Sequence, residues 1–168
     1  MHDVVFLFDV DNTLIDNDRI QQDLRDHLEG SYGRAVRERY LAIFDELWAK
    51  RGHAECIGAL ECYRAEKLHD PTLFRMANWL LDYPFAERLN IGALEAVAHV
   101  RQWGLPVVLS DGDAVFQARK VERSDLWKAF DSRMLIYIHK EGELGDVERL
   151  CPATHYVLVD DKLRILMQ

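Results

Sequence analysis

Asp9 and Asp11 stand two residues apart after an apolar run, Val4-Val5-Phe6-Leu7-Phe8, and Thr13 follows two residues later. Two residues of extended chain restore the same facing, so both carboxylates can reach one reacting centre. Carboxylates can attack as nucleophiles, pass protons as acid and base, and bind hard cations through oxygen. The arrangement recurs along the chain. Ser110-Asp111-Gly112 follows Val107-Val108-Leu109, Lys140 follows an apolar run over 134–138, and Asp160-Asp161 follows Tyr156-Val157-Leu158-Val159. Open parallel sheets place their active sites at such strand ends.

Each group has a plainer reading. A carboxylate pair after a strand also makes a turn. Ser110-Asp111 alone would be a helix cap, and most lysines are solvated surface. The convergence of four strand ends favours the chemical reading. Lys120 competes with Lys140, but its helix reads as presenting it to solvent. Asp161 either assists Asp160 or caps the last helix.

The runs that carry these groups are continuous in β-branched and aromatic residues, the pattern of strands buried on both faces. Between the first two strands the pattern is helical, with segments over 19–28, 35–50, 54–68 and 70–81. Gly30, Gly33 and Gly52 punctuate them, and Asp70-Pro71 opens the fourth. Val36, Tyr40, Ile43, Phe44 and Leu47 fall on one helical face. Trp48, Tyr63, Trp79 and Tyr83 read as core of this segment, as do Cys56 and Cys62. Later helices are expected over 93–103, from Asp113 to about 122, over 125–130 and over 146–150. Strands alternating with helices imply right-handed crossovers and a parallel sheet. The intervening stretch is too long for one crossover. The expected fold is therefore α/β, a Rossmann-like parallel sheet core of 1–15 and 88–168 with an inserted all-helical cap over 16–87.

The chain has 168 residues and a net charge of −8. That balance argues against unspecific binding to nucleic acid or an anionic membrane, which needs clustered cations. Three cysteines without a C-x-x-C pair read as reduced thiols, and the expected location is cytoplasmic. No apolar stretch reaches the roughly 18 residues a membrane span needs. The histidines show no ligand spacing.

In order, D-x-D-x-T, a Ser after the second strand, a Lys, then an acidic pair, the set resembles the haloacid dehalogenase-like hydrolase superfamily. The helical insertion matches that family's cap at its commonest position. The resemblance implies that Asp9 is a nucleophile forming an aspartyl-phosphate. Asp11 would protonate the leaving oxygen and then activate water. Mg²⁺ would be held by Asp9, the backbone carbonyl of Asp11, Asp160 and also Asp161. Lys140 would neutralise Asp9 and the phosphoryl group. Ser110, with the N–H groups of Asp111 and Gly112 at a helix start, would bind phosphate, and Thr13 would orient the first loop. Dehalogenases of the superfamily lack the second Asp of the first motif, so Asp11 favours phosphate chemistry.

The expected function is therefore a Mg²⁺-dependent phosphatase for a small phosphorylated metabolite. The alternatives are a phosphomutase, a phospho-acceptor signalling module and a non-catalytic interaction protein. A signalling module of the response-regulator type would carry its acidic pair after the first strand and no helical insertion. Few residues follow Asp161, and the core reads as short at its C-terminal side. The last strand is then expected to be a bare sheet edge that self-associates, unless Leu163, Ile165 and Leu166 cover it.

Overall fold

In the computed structural model the described residues are 2–51 and 56–163. Four strands form one parallel sheet: β1 (His2–Phe8), β2 (Leu105–Asp111), β3 (Met134–Tyr137) and β4 (Ala153–Val159), in the order β3-β2-β1-β4. Among the described residues eight helices accompany it. They are α1 (Asn17–Tyr32), α2 (Arg34–Arg51), α3 (Cys56–Glu66), α4 (Thr72–Asp82), α5 (Ala93–Val100), α6 (Phe116–Arg123), α7 (Leu126–Ala129) and α8 (Leu144–Leu150). This is the α/β, Rossmann-like architecture that the alternation of strands and helices predicts.

The chain divides into two compact units. One comprises Met1–Asn17 with Pro84–Gln168, the other Asp18–Tyr83. The first contains the sheet. Val5, Leu7, Val107, Leu109 and Val147 form a core cluster on it, with Leu135, Tyr156 and Leu158 packed alongside. Phe8 meets the edge of Phe130 with ring centroids 5.6 Å apart. β1 and β2 occupy the interior of the sheet, which explains their unbroken apolar composition.

β2 begins earlier than its apolar core indicates and includes Pro106. At that level it pairs only with β1, opposite Phe6, because β3 joins from Val108 onward. A proline there removes no bond toward β3. Gly104, just before the strand, lies against β1: an added Cβ would come within 2.3 Å of the Val4 carbonyl oxygen. α5 stops at Val100, short of the expected Trp103, and Gly104 closes the turn by donating to the Val100 carbonyl at 3.0 Å.

In the helical unit, Tyr40, Ile43 and Leu47 of α2 are buried, as are Leu73, Met76 and Leu80 of α4. Asp70 Oδ1 accepts from the Thr72 N–H at 2.9 Å and so opens α4. Tyr63 and Tyr83 are buried, and Trp79 stacks on His27 at 4.6 Å. Trp48 departs from its core assignment: it is 57% exposed, one residue past the inward-facing Leu47. Cys56 is buried and Cys62 half-buried. Gly52 and Ala54, expected at a helix end and start, lie outside the described residues, as do Ile165 and Leu166. No helix among the described residues is long and apolar enough to cross a membrane.

Candidate active site

Parallel pairing brings the C-terminal ends of all four strands to one edge of the sheet. Asp9 follows β1, and its backbone N–H donates to the Val159 carbonyl at 2.9 Å, which locks it beside the end of β4. Its side chain is 1% exposed. Lys140 begins a 3-10 turn after β3, and its Nζ lies 2.5 Å from both Asp9 Oδ1 and Asp160 Oδ2. Ser110 Oγ donates to Asp9 Oδ1 over a long 3.5 Å. The other Asp9 oxygen, Oδ2, is buried without a hydrogen-bond partner among the described residues, and so is Thr13 Oγ1.

Burial pushes the Asp9 carboxyl up from 3.8 to about 6; Lys140 opposes this, while Asp160 adds to it. Burial alone would lower Lys140, but Asp9 and Asp160 outweigh it and hold the ammonium above its ordinary value. One cation thus serves two buried carboxylates. Asp161, exposed, brings its carboxylate into the same group: ligand atoms of Asp9, Asp160 and Asp161 lie within 4.8 Å of one another.

The Asp111 side chain is engaged at the end of β2. Its Oδ1 accepts from the Lys140 backbone N–H at 2.8 Å, and its Oδ2 lies 3.8 Å from Lys162 Nζ. It therefore ties the end of β2 to the turn that presents Lys140. Gly112 departs from its expected part: its N–H is committed to the Tyr137 carbonyl at 2.9 Å, so it is not a free donor at a helix start. α6 opens only at Phe116, because Asp113 Oδ1 accepts from Val115 and Phe116 N–H and delays the first turn. Gly112 has φ +155°, and an added Cβ would sit 2.8 Å from Gln117 Cβ. That closeness lets α6 approach the strand end.

Asp11 does not join the carboxylate group. Its Oδ1 pairs with Lys120 Nζ at 2.6 Å, and its side chain is 28% exposed. Lys120, assigned from sequence to a solvent-facing surface, is 2% exposed. It also donates to Asn17 Oδ1 at 3.1 Å. Gln117, one turn earlier on α6, donates to Ser110 Oγ at 2.9 Å, and the hydroxyl faces two acceptors, Asp9 Oδ1 at 3.5 Å and the Asp111 carbonyl at 3.4 Å. The sequence signal for both was present: Phe116, Gln117, Lys120 and Val121 share an inward face by helical spacing, and all are buried. Charge alone hid Lys120.

Neither a scan of family models nor a search of curated proteins returned a match. Among solved structures, one assigned to the haloacid dehalogenase-like hydrolases, from Burkholderia xenovorans LB400, is 52% identical with a TM-score of 0.93. The match covers 99% of this chain and 77% of that one. This chain belongs to the haloacid dehalogenase-like hydrolases. Two more distant members share the fold. The HAD-hydrolase YfnB from Bacillus subtilis, bound to magnesium, is 14% identical with a TM-score of 0.60, over 92% of this chain and 77% of that one. The L-2-haloacid dehalogenase from Xanthobacter autotrophicus is 20% identical with a TM-score of 0.54, over 90% and 68%.

The donor set of this hydrolase suits a hard divalent cation. It offers only carboxylate oxygens, two of the three carboxylates are buried, and Asp9 Oδ2 has no hydrogen-bond partner among the described residues. Three carboxylates face Lys140, with Lys162 also acting on Asp9, which leaves an excess of negative charge that a divalent ion would balance.

Proposed function

We propose that the chain is a Mg²⁺-dependent phosphatase that hydrolyses a small phosphorylated metabolite through an aspartyl-phosphate. The observation that carries this reading is the state of Asp9: buried, gripped at Oδ1 by Lys140 with Ser110 further off, and with Oδ2 unbonded among the described residues. A desolvated carboxylate held in one orientation is a prepared nucleophile. Asp11, on the same loop, supplies the second carboxylate that ester cleavage needs and halide displacement does not.

In the first step an Asp9 oxygen bonds to phosphorus as the ester P–O bond breaks. Asp11 gives its proton to the departing oxygen. In the second, Asp11 takes a proton from water, whose oxygen bonds to phosphorus and displaces Asp9 as carboxylate. Lys140 offsets charge on Asp9 and on the phosphoryl oxygens throughout. Asp9, Asp160 and Asp161, with the Asp11 backbone carbonyl, would hold Mg²⁺, which supplies charge neutralisation for an anionic substrate. Ser110, oriented by Gln117, offers a hydroxyl donor beside Asp9.

Release of p-nitrophenol from p-nitrophenyl phosphate, with Mg²⁺ and with EDTA, tests the reading, and chloride release from 2-chloropropionate is its control. Mg²⁺-dependent phenol release without chloride release is expected. Chloride release alone would replace the reading with dehalogenation.

A further inference from the structure

We propose that Lys120 is a positioning residue for Asp11, holding that carboxylate where it can protonate a poor leaving group. The inference rests on the phosphatase reading and assigns a role that the reading leaves open. The chain buries two lysines at this edge of the sheet, and each takes a different carboxylate of the first motif. Lys140 serves Asp9 and Asp160, while Lys120 serves Asp11. Burying an ammonium is costly unless it is paired, and Lys120 is paired three ways. Its Nζ is 2.6 Å from Asp11 Oδ1, 3.1 Å from Asn17 Oδ1 and 5.3 Å from the centroid of the Phe116 ring.

Asp11 needs such an anchor more than Asp9 does. It lies in a loop next to Asn12, whose φ is +60°, and its side chain is partly open to solvent. A proton donor works only within hydrogen-bond reach of its target. With Oδ1 held by Lys120, Oδ2 remains to give a proton to the departing oxygen and later to take one from water. Lys120 keeps its own protons through both steps. The anchor comes from α6, the same helix whose Gln117 orients Ser110, so one helix face sets two groups of the site.

The leaving group separates this role from a structural one. The nitrophenolate of p-nitrophenyl phosphate departs without a proton, whereas the alkoxide of glycerol phosphate requires one. Lys120→Met is expected to lose roughly tenfold or more kcat/KM on glycerol phosphate beyond its loss on p-nitrophenyl phosphate, since a placed acid contributes at least about 10²-fold. Asn17→Ala, which removes one partner of the lysine, should move the ratio the same way but less. Equal losses on the two esters, or a ratio shifted toward glycerol phosphate, overturn the proposal. A second readout needs no turnover. In a crystal structure of Lys120→Met the Asp11 side chain should leave its wild-type position, and an unmoved side chain overturns the proposal. If the wild-type chain hydrolyses neither ester, the phosphatase reading fails and the crystal structure alone decides the anchor. Asn17→Ala serves in both measurements if Lys120→Met does not fold.

Discussion

At the scale of residues, Asp9 permits two separable predictions. Asp9→Asn keeps the shape but loses the nucleophile, so turnover should fall by roughly 10³-fold or more while circular dichroism stays unchanged. A tenth of wild-type turnover would contradict the assignment. The second concerns pH. The folded, metal-free chain holds the Asp9 proton to about 6, against 3.8 for an ordinary aspartate. Between those values the folded state binds more proton than the unfolded one, so this group lowers stability as pH rises through the window. Its cost is absent below about pH 4 and fully present above about pH 6. Asp9→Asn has no such titration. In EDTA its stability should therefore gain on wild type between about pH 4 and pH 7, by an amount on the order of 2 kcal/mol, read by urea denaturation. A flat difference would show that Asp9 is not desolvated. For the cation, Asp160→Ala should raise the Mg²⁺ concentration for half-maximal activity more than Asp161→Ala, because the Asp160 carboxylate is buried beside Asp9 and Asp161 is exposed. The acidic and basic residues of this site were legible because each follows an apolar run. The pairing of Lys120 with Asp11 was not, because Lys120 lies within a helix and only the three-dimensional path of α6 turns it toward the site.

Elements bring the residues together through close approaches that sequence shows only as glycines. Gly104 is the sharpest case, with the Val4 carbonyl 2.3 Å from where its Cβ would be. Gly104→Ala must push the start of β2 away from β1, and a loss of roughly 1–3 kcal/mol is expected by urea denaturation. Retention of wild-type stability would mean that the two strands can part without cost. Strand and helix identity followed from period and composition, so the sheet and its helices were readable. Boundaries were less so. Asp113 ties up the first N–H groups of α6 and moves its start beyond Gly112, a local hydrogen-bond choice that hydrophobic period does not record.

At the scale of the molecule, the order β3-β2-β1-β4 leaves β4 paired on one side only among the described residues. Val157 is 41% exposed there, and an unpaired strand is a template for association. Sedimentation at micromolar concentration should show self-association that Val157→Lys reduces; a monodisperse wild-type chain would contradict it. The same strand order has a consequence for how the chain is made. β1 (His2–Phe8) leaves the ribosome well before either of its neighbours, β2 (Leu105–Asp111) and β4 (Ala153–Val159). Until β2 emerges β1 is therefore an apolar strand with two open edges, and loop closure over such separations is slow. The catalytic edge cannot assemble piecemeal. It exists only once β4 has docked, so regained turnover would report the docking of β4 rather than the onset of refolding, and nascent chains would depend on chaperones until β4 emerges.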